Sequence, residues 1–200
     1  MQYASTQRLG KEHGAGYLND ELVNFSLELV YKRFRVLFGP DKADSIRYYN
    51  THFMSTLENL SSPTSENPVY TYGNIARWSR RFKFFEAEKV FVPINYLNGH
   101  WVLIVIFPQT KEVRYYDSMC SEIRAQRYLH NCRLFLRDIS ADPQQAQVLH
   151  DRGCVFDISE WRFETCVSPQ QENGWDCGVF VIRCVEHLIE DLPLQFNPSD

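Results

Sequence analysis

Lys89-Val-Phe-Val-Pro-Ile-Asn95, the pair Asn98-Gly99 and the run Trp101-Val-Leu-Ile-Val-Ile-Phe107 decide the fold class of this chain. Both runs are short and rich in β-branched residues, and the Asn-Gly between them is a turn signal. A third run of the same kind, Glu112-Val-Arg-Tyr-Tyr-Asp117, follows the turn Pro108-Gln-Thr-Lys111. The spacing predicts adjacent strands joined by tight turns, and a further strand is expected around Arg162 to Val167.

Outward from this centre the period becomes helical. Leu18-Asn19-Asp20-Glu21 opens a helix, with Asn19 as N-cap and two acids where the helix dipole favours them. Val23, Leu27, Val30, Phe34 and Leu37 then recur on one face until Gly39-Pro40 ends it. A second helix is expected over Ala43 to Leu60, followed by a surface loop from Ser61 to Pro68. Asn74 to Glu86 reads as a third, basic on one side through Arg77, Arg80, Arg81 and Lys83, with Trp78, Phe82 and Phe85 inward. A fourth covers Ser121 to Leu136. The last runs from Cys177 to Glu190, apolar nearly all round as a helix inside a core is, with Pro193 as its stop. The expected fold class is α+β, a small mixed or antiparallel sheet flanked by helices. Residues 1–16 read as a flexible lead-in and 17–200 as a single domain.

Composition narrows the function classes. A hydrophobic share of 44% supports a core without metal or disulfide staples. The formal charge of −4 argues against a dedicated nucleic-acid binder. No apolar run reaches the roughly 20 residues of a membrane span, and the first sixteen residues show no apolar signal region. Six cysteines without a C-x-x-C pair, and six histidines without H-x-x-x-H, predict neither a structural zinc site nor any other cofactor. Reduced thiols in the nucleus or cytosol, a monomer and no secretion are the corresponding expectations.

The chemistry starts at the hairpin around Pro108. A register that sets His100 opposite Asp117 places an imidazole beside a carboxylate at the open end of the sheet. Such an acid fixes the ring tautomer and stabilises the imidazolium. Cys177 follows Asp176 at the start of the apolar helix, where unpaired N–H groups and the dipole favour a thiolate. Gly178 allows close approach beside it, and Asn173-Gly174 marks a tight turn upstream. An amide from Gln170 or Gln171 would join the Cys177 N–H in holding an oxyanion. Singly, each residue has a plainer reading: His100 a structural histidine, Asp117 a strand-ending turn residue, Cys177 an inert buried thiol like Cys184. Together they fit the nucleophile, base and orienting group of covalent catalysis.

The stretch Pro169-Gln-Gln-Glu-Asn-Gly-Trp-Asp-Cys-Gly-Val-Phe180 resembles the nucleophile signature P-Q-Q-x-N-x-x-D-C-G of the Ulp/sentrin-specific (SUMO) protease family, which shares the adenain-like cysteine protease fold. His100-Trp101, Tyr115-Tyr-Asp-Ser118, Val92-Pro-Ile-Asn95 and Tyr17-Leu-Asn-Asp20 are similar to further elements of that family, in its order and over Tyr17 to Glu190. The resemblance implies that Cys177 attacks the carbonyl after a Gly-Gly tail, with His100 as base and Asp117 as its orienting acid. It selects Gln171 over Gln170 for the oxyanion hole. Trp101 and Tyr17, the latter where the family usually has Trp, would line the channel for the tail. Asp20 and Trp175 fall in the same matched elements and are expected to touch substrate.

Arg77-Trp78-x-Arg80-Arg81 resembles a segment of SUMO-directed members, so Arg77 and Arg81 are expected to meet acidic patches on the modifier, although a solvated helix face explains them equally. The expected partner is SUMO or another ubiquitin-like protein with its conjugates, and the expected reactions are isopeptide cleavage and precursor maturation. The alternatives are a deubiquitinase or Nedd-type protease of the same fold, a catalytically inactive modifier-binding module, and an acetyltransferase on a related scaffold.

Overall fold

The computed structural model describes residues 16–59 and 69–196. The expected lead-in, apart from Gly16, lies outside the described residues, as do Leu60 and the expected loop from Ser61 to Pro68.

Five strands form one sheet in sequence order: β1 (Ile46–Tyr48), β2 (Lys89–Tyr96), β3 (His100–Phe107), β4 (Glu112–Tyr116) and β5 (Arg162–Thr165). The central pairs β2–β3 and β3–β4 are antiparallel, while β1 and β5 add to the edges in parallel. Seven α-helices are described: α1 (Asp20–Phe38), α2 (Pro40–Asp44), α3 (His52–Leu57), α4 (Ala76–Ser79), α5 (Glu122–Ala141), α6 (Pro143–Asp151) and α7 (Cys177–Ile189).

The apolar run of β3 has no polar alternation because both faces of the strand are covered. Val102, Ile104 and Ile106 pack with Phe53 and Leu57 of α3 and Tyr128, Phe135 and Ile139 of α5. Trp101, Leu103 and Val105 point the other way, against Val23, Leu27 and Phe34 of α1 and Phe180, Val181 and Cys184 of α7. The sheet is thus the middle of three layers, and each large side chain buried in them contributes about 1.5–3 kcal/mol. Helix α1 begins as its sequence dictates, with the Asn19 side chain accepting from the Leu22 N–H at 2.9 Å. Gly39 ends it at φ 85°, the left-handed region that glycine reaches without steric cost.

Local pattern and tertiary structure part company in several places. Leu37 is 59% exposed, not inward, because the last turn of α1 outruns the surface it packs on. The helix expected over 43–60 is replaced by α2, the edge strand β1 and α3. Ile46, Arg47 and Tyr48 pair with Lys89, Val90 and Phe91, and that ladder outweighs local helix propensity. The helix expected over 74–86 is reduced to α4 between two 3₁₀ turns, Tyr72–Asn74 and Phe84–Glu86. Fully buried Gln145 makes this break possible. Its Oε1 accepts from the Phe84 N–H at 2.8 Å, and its Nε2 donates to Ser79 O and Phe82 O at 2.7 and 2.8 Å. A side chain from α6 therefore satisfies three backbone groups that a continuous helix would have paired internally. Helix α5 runs past the expected end at Leu136 to Ala141, and a further helix, α6, follows it, capped by Asp142 with Pro143 in its first turn. Helix α7 stops at Ile189, short of Pro193, where the buried Lys89 ammonium donates to Leu188 O and Asp191 Oδ1 at 3.0 and 2.7 Å.

Candidate active site

Three segments converge at the end of the sheet where β3 starts and β4 stops. The β2–β3 connection is a tight loop, Leu97-Asn98-Gly99, between the paired residues Tyr96 and His100, with Leu97 and Asn98 at φ 51° and 55°. It places His100 at the first position of β3, buried to 6% exposure.

The β3–β4 register differs from the expected one. Leu103 pairs with Tyr116, whereas setting His100 opposite Asp117 would have paired it with Arg114. The displacement is by two residues, and because side chains alternate with period two, the face is preserved. Asp117 lies just past the end of β4 and still reaches the ring: His100 Nε2 and Asp117 Oδ1 are 2.7 Å apart. That oxygen also accepts from the Met119 N–H at 2.9 Å. Asp117 Oδ2 accepts from Tyr115 Oη at 2.9 Å and from Arg124 Nε and Nη2 at 3.2 and 3.0 Å. The main chain is braced as well, since Asp117 O accepts from Ser168 Oγ and Gln170 Nε2 at 3.0 and 3.1 Å.

The third segment delivers the cysteine. The Asn173 side-chain oxygen accepts from the N–H groups of Trp175 and Asp176, both at 3.0 Å, and its amide donates to Asp176 Oδ2 at 2.6 Å. This turn puts Cys177 at the first residue of α7, where a helix offers unpaired N–H groups. Cys177 is fully buried. A Cβ on Gly178 would lie 3.0 Å from Leu18 Cβ and 3.2 Å from Trp101 Cδ1, so glycine is what lets these two side chains close over the helix start.

The electrostatics pair the groups. Burial works to raise the Asp117 pKa, but its hydrogen bonds with His100, Met119 and Tyr115 hold it well below the usual carboxylate range. Burial likewise works to lower the His100 pKa, and the hydrogen bond with Asp117, helped by the neighbouring Cys177 thiol, overcomes it, so the ring sits above its ordinary value. With Nε2 engaged by Asp117, the buried Nδ1 has no other polar partner and is the nitrogen available to the thiol. The Tyr115 hydroxyl stays protonated, its pKa pushed up first by burial and then by the Asp117 charge. An imidazole aligned by a carboxylate, beside a thiol at a helix N-terminus, is an arrangement that performs nucleophilic acyl transfer.

The two glutamines separate. Gln170 Nε2 donates to both Asp117 O and Ser168 O, which occupies both of its hydrogens. Gln171 Oε1 accepts from Ser118 Oγ at 2.6 Å, and its Nε2 donates to Asn173 O at 2.6 Å, leaving one amide hydrogen unassigned. Trp101 is 2% exposed and donates from Nε1 to Leu18 O at 2.8 Å. Tyr17 and Trp175 are 46% and 53% exposed, and Gly16 packs directly on Trp175. Asp20 accepts from Asn95 Nδ2 at 3.3 Å and lines a polar cleft of about 420 Å³ with Thr51, His52 and Asn98. Arg77 is exposed on α4, and Arg81 lies over the Trp78 ring at 5.4 Å. Trp78 packs on the α5 side of the sheet and Cys177 on the α1–α7 side, so these arginines do not join the cluster of His100, Asp117 and Cys177. Sequence reasoning missed Tyr115 and Arg124 as partners of Asp117, while Asn173 makes the tight turn that Asn173-Gly174 signals. Tyr115 was reachable, two residues before Asp117 on the same strand face; Arg124, on a separate helix, carried no such signal. No group of three or more His, Cys, Asp or Glu side chains suited to a metal ion occurs among the described residues.

Comparison with known proteins places this geometry. The family described as "Ulp1 protease family, C-terminal catalytic domain" matches residues 16–199. A putative ubiquitin-like-specific protease 1B of Arabidopsis thaliana is 28% identical over 189 residues, covering 92% of this chain and 50% of that protein. The chain thus spans half the length of that relative. Among solved structures, SUMO protease Ulp1 with its catalytic cysteine oxidised to a sulfinic acid aligns with a TM-score of 0.71 at 20% identity, covering 98% of this chain and 75% of the other. The Ulp1 protease domain in complex with Smt3, the yeast ortholog of SUMO, aligns with a TM-score of 0.66 at 22% identity over the same shares. These likenesses show the α+β fold to be Ulp1-like, and the chain belongs to the Ulp1 protease family.

Proposed function

We propose that this chain is a thiol protease that cleaves after the C-terminal Gly-Gly of a ubiquitin-like modifier, SUMO in particular. One observation carries the reading: the His100–Asp117 pair, with Nδ1 otherwise unpartnered, beside Cys177 at the start of α7. In this mechanism Cys177 Sγ attacks the scissile carbonyl carbon as its proton passes to His100 Nδ1. The oxyanion is held by the Cys177 N–H and the remaining Gln171 amide hydrogen. The imidazolium then protonates the leaving amine, the C–N bond breaks, and a thioester remains. Water activated by His100 hydrolyses it and frees the thiol. Asp117 keeps the ring oriented and stabilises its cationic form throughout.

Substrate choice follows from access. The enclosed cysteine, roofed by Leu18 and Trp101, favours a thin tail without side chains. Tyr17 and Trp175 flank that approach, Asp20 offers an acid in the neighbouring cleft, and Arg77 and Arg81 offer cations for acidic patches on the modifier. The relatives described as SUMO proteases favour SUMO among the candidates. The six cysteines are free thiols, which suits a reducing nuclear or cytoplasmic setting. No helix among the described residues is long and apolar enough to cross a membrane.

The test is a panel of electrophilic probes built on SUMO, ubiquitin and a Nedd-type modifier, applied to wild type and Cys177→Ala. SUMO labelling in wild type and none in the variant is expected. Labelling by ubiquitin alone overturns the substrate, and labelling that persists in Cys177→Ala overturns the mechanism.

A further inference from the structure

Arg124 has no place in the nucleophile–base–acid scheme, yet its guanidinium lies against the acid. It stands in the first turn of α5, where the helix dipole disfavours a cation. Its Nε and Nη2 donate to Asp117 Oδ2 at 3.2 and 3.0 Å, and its side chain is only 17% exposed. On another side the guanidinium lies 5.3 Å from the ring centroid of Tyr96, the cross-strand partner of His100. The carboxylate is therefore divided: Oδ2 belongs to Tyr115 and Arg124, and Oδ1 to His100 and Met119.

We propose that Arg124 is a positioning residue of the active site, which clamps Asp117 Oδ2 so that Oδ1 alone is presented to His100 and draws off part of the carboxylate's charge. Resting on the proposed role of His100 as general base, the inference assigns α5 a part in catalysis without contact with substrate. The physical logic is a balance. A carboxylate facing imidazole alone stabilises the imidazolium strongly, and a base made too basic is protonated at working pH. A fixed guanidinium behind the carboxylate offsets that pull while holding the acid ionised and in place.

The charged and titratable groups around His100 come from four elements. Asp117 and the Tyr115 hydroxyl come from the β4 end, Cys177 from α7, Tyr96 from β2 and Arg124 from α5. The next cation, Arg127, lies over Tyr96 at 5.8 Å but is paired to buried Glu58 at 2.9 Å, so its charge is matched locally. Arg124 is the cation whose charge works to lower the His100 pKa.

The test compares Arg124→Gln and Arg124→Lys with wild type in the full chain. Three readouts are used: nuclear magnetic resonance titration of the His100 ring, the pH dependence of Cys177 alkylation by iodoacetamide, and kcat and KM on a fluorogenic modifier substrate. In Arg124→Gln the His100 titration moves to higher pH, and the acid limb of the alkylation profile moves with it. Since small misplacements of catalytic groups cost up to about 10²-fold, kcat falls on the order of tenfold while KM holds. Arg124→Lys, which keeps the charge but not the planar grip, restores the titration and only part of kcat. A melting temperature that drops while His100 titration and kcat stay at wild-type values overturns the proposal, because the ion pair is then only a structural brace. If Arg124→Gln does not fold, Arg124→Lys decides alone: wild-type kcat in that variant overturns the grip. If wild type cleaves no modifier, the proposed function falls, and the titration and alkylation still decide the role of Arg124.

Discussion

Gly178→Ala sets two quantifiable effects against each other. The residue is the second of α7, and on helix propensity alone alanine stabilises by about 0.5–1 kcal/mol. Packing opposes this. The added Cβ would lie 3.0 Å from Leu18 Cβ, 3.1 Å from Leu18 Cδ1 and 3.2 Å from Trp101 Cδ1, all inside ordinary van der Waals contact. Leu18 Cβ is one bond from the main chain, and that residue's carbonyl is tied to Trp101 Nε1 at 2.8 Å, so relief requires the 16–18 segment or the start of α7 to move. Overpacking of this kind costs about 1–3 kcal/mol. Packing therefore wins, and Tm is expected to fall by about 2–4 °C for each kcal/mol of net loss in a chain of this size. The moving backbone carries Cys177, so the rate of labelling by the SUMO probe is expected to fall on the order of tenfold even well below Tm. Calorimetry and timed labelling are compared with Val179→Ala, whose side chain is 44% exposed and whose Tm should barely change. An unchanged or raised Tm in Gly178→Ala, together with wild-type labelling, refutes the packing argument.

Two further outcomes are expected. Gln145→Ala strips partners from Phe84 N, Ser79 O and Phe82 O, and at about 1–3 kcal/mol for each unsatisfied buried group it should destabilise by several kcal/mol, read as a lowered urea midpoint at unchanged slope; a loss under about 1 kcal/mol contradicts the role given to this side chain. For pH, the Asp117 carboxyl is held below its unfolded value of 3.8, so its contribution is present above that pH and lost as pH falls through the acid range. His100 is held above its unfolded value of 6.5, so its contribution is complete below that pH and lost as pH rises through its folded value. Urea midpoints against pH should therefore decline on both sides, and Asp117→Asn should flatten the acid decline; an acid slope equal to wild type in that variant contradicts the assignment.

Much of the site was legible because its signals are local. The Asn98-Gly99 turn, the β-branched runs and the apolar helix starting at Cys177 are patterns that adjacent residues dictate, and they located His100, Asp117 and Cys177 at element ends. The error in hairpin register did no harm, since a slip of two residues keeps every side chain on its face. Where helices were misjudged, the partner that overruled propensity lay far along the chain: Lys89 to Phe91 drew Ile46 to Tyr48 into the sheet, and Gln145 held open the backbone of 79–84.

The chain's order of residues by itself determined which segments are strands at the centre, where the Cys177 thiol, the His100 imidazole and the Asp117 carboxylate stand within their elements, and the family to which they correspond. Tertiary structure alone decided that Nε2 faces Asp117 and leaves Nδ1 for the thiol, that Gln170 braces Asp117 while Gln171 keeps a hydrogen in reserve, and that Arg124 stands behind the acid. The reason is that propensity, capping and alternation act within one element, whereas the hydrogen bonds to the buried carboxylate depend on how separate elements pack together, even where only seven residues part Arg124 from Asp117.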